Sequence, residues 1–190
     1  MNRIFILLVW VPIMALSSCM DRHSPAPLAP GEVRSRLDDS ATQILHQALG
    51  HYMELKESLV LDQGPAASMA AKDLGGAMLP LKARISTYEK REENEDYLLS
   101  IDTLIEANQH ILVQETEELE WKRYYFAQVS EVFHRLLLMS EWEGPTIYLQ
   151  YCPMAFNDHG AYWLSQETEI RNPYFGRLLM ECGEILEQIP

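Results

Sequence analysis

The sulfur of this chain is concentrated in two short stretches. Cys152-Pro153-Met154 and Met180-Glu181-Cys182 each carry a cysteine and a methionine two residues apart, the second in mirror order, and Cys19 is the remaining cysteine. In an extended chain residues i and i+2 point to the same face, so each stretch would present a thiol beside a thioether. Antiparallel pairing in one register sets Cys152 opposite Cys182 and Met154 opposite Met180, with opposed Cβ atoms roughly 4.5–5.5 Å apart. Thiolate and thioether form a soft ligand set suited to Cu(I), and His159 could add an imidazole. The same juxtaposition serves a Cys152–Cys182 disulfide, whose loop closure would stabilise the fold by roughly 3–4 kcal/mol. Inert thiols are a third reading, and "RLLMEC" as a helical turn would remove the register.

The other chemistry-bearing residues are less organised. His46 and His51 stand about 140° apart round a helix, so they do not chelate from one face as an i, i+4 pair does. His110 and His134 are single helical histidines, and His23 lies in a Pro-rich stretch where it is solvated. Glu117, Glu118 and Glu120 pattern as a solvated face. Asn108, on an apolar stripe, is expected to be a buried polar residue that fixes register, and Trp163 and Tyr174 are expected in the core of a C-terminal cap. His-Glu-x-x-His, Cys-x-x-Cys-His, Walker and Gly-x-Ser-x-Gly patterns are missing from the chain. Nothing here argues for an enzyme.

The elements that must position the sulfur pairs fall into two parts. From Ser40 to Trp142 the apolar residues recur at helical spacing. Ser40 and Gln43 fit a capping box, followed by a stripe of Ile44, Leu45, Ala48, Leu49, Tyr52, Met53, Leu59 and Val60. Asp62-Gln63-Gly64-Pro65 interrupts it, with Pro65 at the start of the next helix. Met69, Ala70, Leu74, Ala77 and Met78 form a second stripe, which Pro80 is expected to end soon after. Met53, Met69, Met78 and Met139 read as packing residues. The mixed charges of residues 88–97 precede a third stripe from Leu98 to Leu112, and a fourth runs from Leu119 to Leu137. Four amphipathic segments with short to moderate connections predict an antiparallel four-helix bundle. After Gly144-Pro145 the character changes. "TIYLQY" (146–151), "AYWLS" (161–165) and "GEILEQI" (183–189) read as strands, and Asn172-Pro173-Tyr174-Phe175-Gly176 as a turn. The fold class is therefore mainly α, a four-helix bundle with a small β-containing C-terminal cap. It is a single domain over 37–190, with the bundle at 37–143 and the cap at 144–190.

The formal charge of −13 disfavours nucleic acid and anionic membrane surfaces as partners and favours cations. At the N-terminus, Arg3 and the apolar stretch Ile4–Leu16 read as a signal peptide too short to span a bilayer. Leu16-Ser17-Ser18-Cys19 looks like a bacterial lipobox. The reading is a signal peptide over 1–18, cleavage before Cys19, acylation of Cys19 that anchors the chain in the lipid bilayer, and a flexible tether over 19–36. That places the protein in the cell envelope of a Gram-negative bacterium, where disulfides form. Met20 rather than Asp follows Cys19, which favours the outer membrane, facing the periplasm.

The order of residues in "YCPMA", "GAYWLS", "EIRNPYFG" and "MECGE" resembles the C-terminal hallmark of a bacterial family described as domain of unknown function 3347. The span from Ser40 to Trp142 is similar to it in layout. Members occur as small lipoproteins and as a C-terminal extension on periplasmic adaptor subunits of copper and silver efflux pumps. The resemblance implies handling of copper or a related soft metal ion, with Cys152, Met154, Met180 and Cys182 as the transferred hallmark. The Tyr-x-Cys-Pro-Met stretch is also similar to short heavy-metal-binding modules, which continue with His-Pro where this chain has Ala155 and Phe156; His159 would have to replace the imidazole. The expected function is an envelope lipoprotein that binds Cu(I) and buffers it or passes it to a periplasmic efflux adaptor. The alternative is a non-enzymatic interaction or scaffold lipoprotein with a structural Cys152–Cys182 disulfide.

Overall fold

The computed structural model of the chain describes residues 33–88, 92–113 and 119–190. The signal segment 1–18, Cys19, His23, Glu117 and Glu118 lie outside the described residues. Four long helices come first: α1 Asp39–Val60, α2 Gly64–Ile85, α3 Glu92–Val113 and α4 Leu119–Met139. Each packs on the next, so the expected four-helix arrangement is present. On α1 the buried stripe Leu45, Ala48, Leu49, Tyr52, Leu55 and Leu59 follows the i, i+3, i+4 spacing of a core-facing helix. Side chains of α1 and α4 also meet. The buried Tyr52 ring lies 5.3 Å from both Phe126 and Phe133, and its hydroxyl bonds Ser130 Oγ at 2.7 Å.

The helices depart from the sequence reading in four places. The N-cap of α1 is Asp38, whose carboxylate accepts from the Ala41 N–H at 3.0 Å. Ser40 sits inside the first turn, because Asp38 is fixed from the other side by Tyr88 and by Arg84 Nε at 2.8 Å. Helix α2 runs through Pro80 to Ile85. A mid-helix proline costs about 3 kcal/mol, but burying Met78, Leu81 and Ile85 on either side of it returns roughly 1.5–3 kcal/mol each. Met69 is 69% exposed, so it points away from the α2 core stripe, whereas Met78 is buried and Met53 and Met139 are partly buried against the core. Asn108 is buried as expected, yet its amide donates to Leu104 O of its own helix at 3.0 Å and its Oδ1 has no partner. It therefore bonds within α3 and does not bridge helices to set their register.

The three strands lie where the residue types put them: β1 Ile147–Cys152, β2 Ala161–Ser165 and β3 Glu184–Ile189. They form an antiparallel sheet in the order β2-β1-β3, and a 3₁₀ turn at Gly176–Leu178 precedes β3. The cap is joined to the helices at named points. Leu164 N–H donates to the Tyr52 hydroxyl oxygen at 2.9 Å. Arg123 bridges Asp62 Oδ1 at 2.6 Å and Pro173 O at 2.8 Å, and Arg171 pairs with Glu57. Residues 33–36, at the end of the expected tether, lie against the end of α4: Arg34 N–H donates to Glu143 O at 2.8 Å, and Arg36 N–H to Ser140 O at 2.7 Å.

Candidate functional site

Strand β1 ends at Cys152, whose alternation with Tyr151 turns its side chain inward, and the residue is fully buried. Cys182 arrives from a different direction. Its segment is a turn, closed by Cys182 N–H donating to Leu179 O at 3.2 Å. Asn172 holds that segment from below: its amide donates to Cys182 O at 2.7 Å, and its N–H to Met180 O at 2.8 Å. The Asn172 side-chain oxygen in turn accepts from Tyr174 N–H at 2.7 Å and Phe175 N–H at 3.2 Å. Gly183 permits the final approach. At its φ of +153°, an added Cβ would stand 2.7 Å from Trp163 and 2.9 Å from Tyr151 O.

These constraints set the two thiol sulfurs 2.9 Å apart. Both cysteines are free thiols, separated by more than the roughly 2.05 Å of a disulfide bond. Burial, together with the hydrogen bond and charge of Cys152, pushes the Cys182 thiol up to about 11, against a smaller opposing effect of the Met154 backbone N–H. Cys182 is therefore a protonated donor at neutral pH, a weak nucleophile by the standard of exposed thiols.

The expected register is not the one formed. The β1–β3 ladder shifts between Leu149 and Gln150 and ends at Tyr151 opposite Glu184, so continuing it would set Cys152 beside Gly183. The thiols meet because the chain turns before β3, and the stretch "RLLMEC" is a 3₁₀ turn followed by a bend. Met154 and Met180 are not paired across the ladder. Met154 leaves the extended conformation (φ −86°, ψ −10°), is 50% exposed and faces a surface cleft. The Met180 sulfur is 3.9 Å from Arg171 Nη1. His159 Nδ1 is 2.9 Å from Phe156 O and 3.2 Å from Asn157 O. Two carbonyls can only accept, so this nitrogen carries the proton, and the lone pair of the neutral ring is on Nε2. Among the described residues no three His, Cys, Asp or Glu side chains converge as a metal site.

Of the other histidines, His46 stacks on Trp142 at 5.7 Å and His110 on Tyr125 at 4.4 Å. His134 Nε2 is 3.3 Å from Glu187 Oε2 without a directed hydrogen bond. Trp163 and Tyr174 are buried, their rings 5.9 Å apart and edge-on, as cap-core residues. Asn172 and Gly183 are the residues that sequence reasoning passed over as positioning groups. Their signal was present, in the Asn-Pro turn and in the glycine directly after Cys182.

Residues 48–141 match the model of a family described as Protein of unknown function (DUF3347). Over that span the chain belongs to this family. The matched span runs from within α1 to just past α4 and stops before β1, so the DUF3347 assignment rests on the helices and not on the Cys/Met hallmark. No curated protein and no solved structure matches the chain.

Proposed function

We propose that this DUF3347 protein is a non-enzymatic, lipid-anchored interaction module of the cell envelope whose cap is closed by a Cys152–Cys182 disulfide. The observation that carries the reading is the pair of sulfurs at 2.9 Å, held by Asn172 and Gly183. Two thiols in contact need less than about 1 Å of movement to bond. Each loses a proton, and the two electrons pass to an oxidised thiol–disulfide oxidoreductase of the compartment, whose own disulfide is reduced to a dithiol.

A second reading keeps the soft metal. Met154 places its backbone N–H on the Cys182 sulfur while its side chain is half exposed, which puts a thioether on the residue next to the thiol pair. In that reading Cys152 and Cys182 bind Cu(I) as thiolates with Met154 as the third donor, and the ion is buffered or passed to a periplasmic efflux adaptor.

One experiment on the full chain, extracted from envelopes in detergent and unfolded in denaturant with a thiol-blocking agent so that buried thiols also react, separates the two. Mass spectrometry counts blocked cysteines, and the reduced protein is titrated with Cu(I) against a competing chelator. The disulfide reading expects Cys152 and Cys182 unblocked and no Cu(I) affinity that Met154→Leu weakens. Two blocked thiols, with Cu(I) affinity lost on Met154→Leu, would replace it with the metal reading.

A further inference from the structure

A second site lies apart from the thiols. An open cleft of about 740 Å³ separates the first turns of α4 from the connection between β1 and β2, within the roughly 300–1,000 Å³ of small-ligand sites. Glu120 and Tyr124 stand on the helix side, and Met154, Phe156 and Asp158 on the other, with Tyr174 among the remaining lining residues. Cys152 and Cys182 are not part of it.

The cap wall of this cleft is strained. Phe156, Asn157 and Asp158 are consecutive non-glycine residues at φ 53°, 57° and 65°, a left-handed run that sterics disfavour at every step. The His159 ring holds it by donating to the Phe156 and Asn157 carbonyls. Strain of this kind persists where surrounding structure enforces it, and it clusters at ligand clamps. Here it sets Phe156 edge-on to Tyr124 at 6.0 Å and 5.4 Å from Tyr174.

Two carboxylates, Glu120 and Asp158, and one guanidinium, Arg123, line the cleft. The guanidinium is held by Asp62 Oδ1 at 2.6 Å, Leu59 O at 3.1 Å and Pro173 O at 2.8 Å, so its charge is met by Asp62 and the balance of the cleft is acidic. Tyr124 is 47% exposed, leaving aromatic surface open beside those acids. A hard divalent ion would need several converging oxygens, and among the described residues no such set of three acidic or histidine side chains exists. Aromatic rings beside carboxylates favour a weakly hydrated organic cation instead.

We infer that this cleft binds an ammonium or guanidinium group, with Tyr124 and Phe156 supplying the ring surface and Glu120 and Asp158 the countercharge. The inference does not depend on the redox state of the thiols. Its test is a titration of the isotopically labelled full chain in detergent with Nα-acetyl-arginine methyl ester, whose only charge is the guanidinium, following the Tyr124 and Phe156 ring resonances. Saturable shifts are expected, and Nα-acetyl-citrulline methyl ester, the neutral isostere, should bind about tenfold more weakly. Asp158→Asn retains a residue that tolerates the left-handed region, so the Glu120→Gln/Asp158→Asn double variant removes charge without refolding the wall. It should lose about tenfold in affinity for the arginine ester and little for the citrulline ester. A short arginine-containing peptide that binds tighter than the ester identifies the basic side chain of a partner protein as the source of the cation; equal binding identifies a free amine or guanidine. No saturable shift at about 10 mM, equal binding of the citrulline ester, or an unaltered double variant would overturn the inference.

Discussion

Closing the Cys152–Cys182 pair should stabilise the fold by an amount that the geometry fixes in advance. The two cysteines are thirty positions apart and their sulfurs already 2.9 Å apart in the reduced chain. Chain-entropy loss for a loop of that length is about 3.6 kcal/mol at 25 °C. Native strain usually erodes such gains, but here Asn172 and Gly183 place Cys182 before any bond forms, so most of the gain should survive. In a domain of this size each kcal/mol moves Tm by about 2–4 °C, giving an expected rise of roughly 7–14 °C on oxidation. The measurement is thermal unfolding of the full chain in detergent, oxidised and then with excess reductant, beside a Cys152→Ala/Cys182→Ala variant. The variant should ignore reductant. A redox effect below about 1 kcal/mol, or an equal response of the double variant, would show that the contact does not constrain the chain as argued.

Other expectations follow from the same coordinates. Burial and Cys152 raise the Cys182 thiol from 9.0 to about 11, so below pH 9 both folded and unfolded thiols are protonated. As pH rises from 9 to 11 the unfolded thiol ionises first, and the reduced protein should lose stability over that window; urea titrations of the reduced chain should show this, and Cys182→Ala should remove it. Asn172→Ala strips the partners from the buried Tyr174 N–H, the half-buried Phe175 N–H and Cys182 O, which should cost about 3 kcal/mol in urea unfolding and slow disulfide formation in timed thiol-blocking assays. Tyr52→Phe leaves Leu164 N–H without its partner and Ser130 with only the Tyr174 hydroxyl, and should cost about 1–3 kcal/mol, with hydrogen exchange rising first at Leu164. Gly183→Ala forces its new methyl against Trp163 and Tyr151 O and should destabilise by about 1–3 kcal/mol, measured by the same unfolding curves.

How legible this molecule is from its residues depends on which physical signal carries each part. The helices and strands are local: β2 coincides with "AYWLS", and β1 and β3 differ from "TIYLQY" and "GEILEQI" by a residue at each end or less, because β-branched and aromatic runs between turn residues leave few alternatives. Competing interactions moved the boundaries elsewhere. Asp38 outranks Ser40 as the cap because Arg84 and Tyr88, from the far end of α2, fix its carboxylate, and α2 outlasts Pro80 because tertiary burial exceeds a local penalty. The sulfur register was the least legible feature. A one-residue slip moves a strand's side chains to the opposite face, and the shift between Leu149 and Gln150 has no signature in the residue types. That the thiols nevertheless meet reflects the turn before β3 and Gly183. The left-handed run at Phe156–Asp158 was equally hidden, since only Asn157 and Asp158 tolerate that conformation by type and Phe156 does not.

The thiol pair lies within the cap, yet the cap is tied to the helices by residues next to the one that positions it. Asn172 holds the Cys182 segment. Its neighbour Arg171 pairs with Glu57 of α1, and the carbonyl of its other neighbour Pro173 accepts from Arg123 of α4. Arg123 in turn reaches Asp62 in the turn after α1. Three consecutive residues thus connect the sulfur contact to both outer helices of the bundle. Glu57, Asp62 and Arg123 all fall inside the span matched by the family model, so the matched helices form the platform on which the thiol pair of the cap is held. Any ion or bond that pulls the Cys182 segment must act through Asn172 on a pair of buttressed ion pairs, which resist displacement more than a free loop would. That stiffness favours the bond needing less than an ångström of travel over an ion that must wedge two touching sulfurs apart, and it is the physical reason to rank the disulfide above the metal.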